Sequence, residues 1–155
     1  MGAVMKSSAA ICAAGLLVLC PLAAEAQQPS AMIIGRWACS GSTPDGLVSS
    51  QMVYNANGTT DSLFVMGQGE GSEVVEVILR TESSWRLPGD GTLHERMTRV
   101  DVIRFMVGGQ IVDNSRVGSL GDDLMKEELV SGSLQITANN MSMIDEKGTR
   151  TTCVR

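Results

Sequence analysis

From Ile33 onward, apolar and polar residues alternate in short runs separated by reversal dipeptides. Val75, Val77 and Leu79 share one face of a run, opposite Glu76, Ile78 and Arg80. Leu134, Ile136 and Ala138 alternate with Gln135, Thr137 and Asn139, and Thr151, Cys153 and Arg155 share one side of the closing run. A period of two is the period of the β-pleat. Asp45-Gly46, Asn57-Gly58, Asp90-Gly91, Gly108-Gly109, Asn139-Asn140 and Lys147-Gly148 supply the turn chemistry between runs. The pattern predicts a hairpin of 51–55 with 60–66 and a long hairpin of 74–85 with 93–107. Further strands follow at 134–139, 141–144 and 149–155. Proline falls only near the leader boundary (Pro21, Pro29) and in predicted turns (Pro44, Pro88), which leaves the strand interiors free to pair.

Residues 113–130 fit two descriptions. Leu120, Leu124, Met125 and Leu129 suit a short helix that Asp122-Asp123 would begin, or one more strand. Strand is the expectation here, because a closing meander needs one. The chain is thus predicted to be all-β, an antiparallel up-and-down meander of about eight strands. Such a sheet avoids exposed edges by closing into a barrel.

The N-terminus has a different pattern. Lys6 precedes an apolar run from Ala9 to Leu19, which Pro21 breaks and Ala24-Glu25-Ala26 follows. This is the form of a secretory signal peptide cut after Ala26, and the run is shorter than the ~20 apolar residues a membrane span needs. The expected organisation is a leader at 1–26, a flexible segment at 27–32 and one barrel domain at 33–155. The expected location is the periplasm or the extracellular space, with nothing embedded in a membrane after cleavage.

Loss of the leader removes Cys12 and Cys20 and leaves Cys39 and Cys153. Two cysteines in an oxidising compartment, with no C-x-x-C spacing, predict one structural disulfide. A loop of roughly 100 residues closed in this way restricts the unfolded chain by about 4–5 kcal/mol in the chain-entropy account. The net charge is −5, with both signs scattered. No basic stripe exists to displace counterions, so nucleic acid is not an expected partner.

Gly35-Arg36-Trp37 at the first strand, a meander of short strands and an arginine on the last strand together resemble the lipocalin and calycin superfamily, most nearly the short lipocalin-like domains of secreted bacterial proteins. The resemblance implies that Gly35 and Trp37 close the barrel's bottom and that Arg155, or else Arg150, packs across the indole.

Catalytic chemistry finds little material. His94 is the only histidine, and in Thr92-Leu93-His94-Glu95-Arg96 alternation sets it on a polar face. No G-x-S-x-G elbow or metal-ligand cluster is present, and the adjacent pairs Asp122-Asp123 and Glu127-Glu128 point to opposite faces of a strand. No cofactor or metal is expected. Ten methionines in a chain with 3% aromatics are read as core filler or as the lining of an adaptable apolar cavity. Met52, Tyr54, Phe64 and Met66 are the candidate lining, although parity there depends on whether the Asn57-Gly58 turn holds two residues or three. The expected function is non-catalytic binding of a small apolar or amphipathic ligand in the barrel. The alternative is a periplasmic barrel that binds protein, such as a protease or lysozyme inhibitor or an envelope-assembly component, through the 27–30 segment or the Gly67–Gly71 loop.

Overall fold

A computed structural model describes residues 29–43, 46–69, 74–113 and 117–155. The expected leader, the Pro44-Asp45 turn residues and Glu70-Gly71 lie outside the described residues. The elements are α1 (Pro29–Ile33), β1 (Gly35–Thr43), β2 (Gly46–Tyr54), β3 (Thr59–Gln68), β4 (Val75–Arg86), β5 (Leu93–Val107), β6 (Gln110–Ile111), α2 (Leu120–Lys126), β7 (Glu128–Ile136), β8 (Asn140–Asp145) and β9 (Arg150–Val154). Neighbours run β4-β3-β2-β1-β9-β8-β7-β5, and β5 pairs back onto β4. The result is a closed antiparallel barrel of eight strands, with β6 as a two-residue addition to the far end of β5.

Turn chemistry sets which side chains enter the barrel. Tyr54 pairs with Thr60. Asn55 N donates to Thr59 O at 2.8 Å and Gly58 N to Asn55 O at 3.1 Å. This is a three-residue hairpin loop, a type I turn followed by Gly58 at φ +82°. Ser50, Met52 and Tyr54 of β2 therefore share the interior with Thr60, Ser62 and Phe64 of β3.

Closure needs curvature, and irregular residues supply it. The β4–β5 ladder slips twice, leaving Thr98 and Ile103 of β5 as extra residues. On β7 the extra residue is Ser133, at φ +51°, between the Gly132 and Gln135 pairings. Each such bulge bends its strand and increases its twist.

One expectation is corrected. Residues 120–126 are helical rather than a strand. Leu120 and Leu124 stand at i and i+4, Asp122 and Asp123 occupy the first turn, and Lys126 in the last turn bonds Asp123 at 2.8 Å. Those charges suit the helix dipole, and the apolar spacing has no period of two. The helix packs on β5, with Gly121 against Val100, where β5 runs beyond the four residues that pair with β7. The strand that closes the barrel is β7, which starts later, at Glu128. The segment expected to be flexible at 27–32 is described only from residue 29. Its residues 29–32 form most of α1, and Ile33 at the end of that turn is fully buried in the core.

The core gathers at one end of the barrel. Ile33, Trp37, Tyr54, Leu93 and Met141 are almost completely buried, with Phe64, Trp85, Leu87, Leu134 and Ile136 packed around them. The Trp85 ring meets Tyr54 edge-on at 5.9 Å. Its Nε1 donates to the Asn55 and Thr59 carbonyls of the hairpin loop, at 3.2 and 3.1 Å.

Candidate functional site

The first strand builds the closed end. Trp37 Nε1 donates to Ile33 O at 2.7 Å, so the indole is satisfied and tied to α1. The Arg155 guanidinium lies 4.3 Å from the Trp37 ring centroid. Its Nη2 donates to Ile34 O at 2.9 Å and to Met32 O. Gly35 has φ +124°, and a Cβ there would meet the guanidinium at 3.5 to 3.7 Å. That is ordinary van der Waals contact, so glycine is favoured here by the backbone, which L side chains rarely adopt. Arg150, the other candidate, is paired with Ile144 and exposed.

Cys39 and Cys153 are direct partners in the β1–β9 register and form a disulfide, with Cα atoms 4.0 Å apart. It links β1 to β9 just above the plug.

Beyond the disulfide the lumen opens into a cavity of about 310 Å³. Val48, Met52, Phe64, Leu129, Val130 and Met143 give it apolar walls. Ser50, Ser131 and Thr151 add small polar groups, and Cys39 contributes to its lining. Of the four predicted lining residues, Met52 and Phe64 are on the wall. Tyr54 lies two residues further along the same face of β2, almost completely buried in the core. Met66 is not among the lining residues: it pairs with Val48 and Val77, further toward the far end of β3. Met141 and Met143, on the same face of β8, both belong to the core cluster, and Met143 also lines the cavity.

Glu95 was not anticipated, and it gives the cavity its chemistry. Alternation that sends His94 outward sends Leu93, Glu95 and Met97 inward. The signal was therefore present, as a carboxylate between two apolar residues at a spacing of two. Glu95 keeps some accessible surface yet lies deep within the barrel, because it borders the cavity. Burial pushes its carboxyl up from 4.5 to about 7, while a hydrogen bond from the Tyr54 hydroxyl pulls in the opposite direction. The Tyr54 hydroxyl is itself raised well above its ordinary value, first by burial and then by the Glu95 charge and hydrogen bond. Its Oη also lies 3.9 Å from Met52 Sδ.

The cavity's other charges are mostly acidic. Glu127, Glu128, Asp145 and Glu146 line it, with Lys147 as the one basic residue. Glu127 precedes β7 in extended backbone, and both it and Glu128 border the cavity. Arg86 bonds Glu128 at 3.0 Å, and His94 Nδ1 lies 3.4 Å from the same carboxylate. Those partners, Arg86 first, hold Glu128 below the usual carboxylate range. Asp145 accepts from Lys147 N at 2.9 Å and Thr149 N at 2.8 Å, which shapes the β8–β9 turn.

His94 does not line the cavity. It stands between Arg86, Glu128 and Thr92, with its side chain 18% exposed. Among the described residues no group of three or more His, Cys, Asp or Glu side chains has a metal-binding arrangement. No described helix is long and apolar enough to cross a membrane.

Compared with known proteins, the chain matches no family model and no curated sequence.

Proposed function

We propose that this protein is a non-catalytic, secreted or periplasmic binding barrel that holds a small amphipathic molecule in its open half. One observation carries the reading. The barrel is plugged at one end by Trp37, Ile33 and Arg155, and beyond the disulfide it keeps a cavity of about 310 Å³ with apolar walls and one interior carboxyl. That volume is at the lower end of the range for small-molecule pockets, about 300–1,000 Å³. A barrel of eight strands is just wide enough to be filled by its own side chains or to hold one small ligand. Serine and threonine at wall positions favour the second outcome here.

The disulfide supports an oxidising compartment. The position of His94, outside the lumen and engaged by Arg86 and Glu128, supports a binding role over a catalytic one. The Gly35, Trp37 and Arg155 arrangement supports the resemblance to lipocalin-like domains.

A neutral apolar fluorophore such as N-phenylnaphthylamine tests the reading. Saturable one-to-one binding with a blue-shifted emission is the expected result. Val48→Trp, which fills the cavity from its wall, should abolish binding while the unfolding transition persists. Absence of saturable binding to the wild-type protein would overturn the proposal.

A further inference from the structure

The cavity has the charge distribution of a cation site. Its walls are apolar, Glu95 borders it from β5, and Lys147 is the one basic residue among its described lining. The titratable groups around Glu95 are Tyr54 from β2, Glu127 and Glu128 at the start of β7, and Asp145, Glu146 and Lys147 at the β8–β9 turn. Glu128 is already neutralised by Arg86. Glu127 and Glu146 have no ion pair among the described residues, and Lys147 alone offsets them together with Asp145. An anionic head entering this mouth would meet like charge at the rim and a carboxyl inside. An ammonium would meet opposite charge at both.

A buried carboxyl without a counter-ion is costly to keep. The Tyr54 hydroxyl supplies one hydrogen bond to Glu95 and cannot supply charge. The space next to the carboxyl belongs to the cavity, so the missing charge can be brought by a ligand.

We infer that the ligand is a cationic amphiphile, an alkyl or aryl amine whose ammonium group pairs with Glu95 while its apolar body lies against Met52, Phe64 and Met143. This deepens the binding reading given above and rests on it. The rim carboxylates steer the cation in, and the interior carboxylate holds it by a charge-assisted hydrogen bond.

Isothermal titration of the purified protein with decylamine, decanol and decanoate separates head-group chemistry from the apolar body. The amine is expected to bind about tenfold or more tighter than the alcohol, and decanoate weakest of the three. Glu95→Gln keeps the side chain's shape and should bring the amine to the affinity of the alcohol while leaving the alcohol unchanged. Equal affinity for amine and alcohol, a preference for decanoate, or an unaffected amine in E95Q would overturn the inference and leave the binding barrel standing. Failure of all three compounds to bind the folded wild-type protein would overturn both. The wild-type comparison needs no variant, so the inference stays testable even if E95Q folds poorly.

Discussion

Arg155 stacks 4.3 Å from the Trp37 ring centroid, and the same guanidinium donates to the backbone carbonyls of Met32 and Ile34. One side chain thereby ties the last strand to the first strand and to the helical turn before it. Its removal should loosen all three contacts together.

Arg155→Ala is expected to lower stability by about 1–2 kcal/mol, the combined scale of a part-exposed cation–π contact and a charge-assisted hydrogen bond. Arg155→Lys keeps the charge but loses the planar guanidinium that stacks on the indole, so it should fall between. Urea unfolding followed by Trp37 and Trp85 fluorescence measures both. Gly35→Ala should cost about 1–3 kcal/mol from strain at φ +124°.

Reduction of Cys39–Cys153, or the double change Cys39→Ser and Cys153→Ser, should lower stability by up to about 4–5 kcal/mol, because the bridge spans 114 residues. The denaturant midpoint with and without reductant reads this. An unchanged midpoint would mean that the bridge adds nothing to closure.

Stability should fall as pH rises through the range set by Glu95. Folding raises this carboxyl from 4.5 to about 7. Between those values the unfolded chain has released the proton and the folded chain keeps it, so the folded state loses ground with rising pH, and the full cost is present above 7. At about 1.4 kcal/mol per unit the loss is at most about 3.5 kcal/mol, and solvent access to the carboxyl reduces it. Glu95→Gln has no proton to release. Its stability relative to wild type should therefore grow from pH 4.5 to 7.5, measured by urea unfolding at each pH.

Thr60 and Thr81 are each only 1% exposed, and their Oγ1 atoms have no hydrogen-bond partner among the described residues. Thr81→Val preserves shape and β-branching while removing a buried unsatisfied hydroxyl. It should stabilise the protein by about 1 kcal/mol, as should Thr60→Val. A raised thermal midpoint is the expected readout. A lowered midpoint would show that an internal water partners the hydroxyl and is lost with it.

The β-strands of this barrel were legible because their determinants are local. Alternation in Val75–Leu79 and Leu134–Ala138, together with glycine at turn positions, follows from backbone geometry over a few residues. The Cys39–Cys153 pair was legible for a different reason, since two candidates allow one pairing. Residues 120–126 were misread because their helical spacing and terminal charges were outweighed by the demand for a strand, which β7 meets later in the chain. Glu95 was hidden in plain alternation, beside a histidine that drew the chemical reading.

By itself the sequence determined an antiparallel all-β chain, its turns and its one cysteine pair, because pleat period and turn conformation are set by neighbouring residues. Tertiary structure alone decided that Arg155 rather than Arg150 covers Trp37, that residues 29–33 cap the plug, and that Glu95 borders an open cavity. Those outcomes depend on register, on a three-residue loop at 56–58 and on bulges at Thr98, Ile103 and Ser133. A shift of one residue at any of them reverses inside and outside for the strand that follows, and only the closed barrel specifies which arrangement holds.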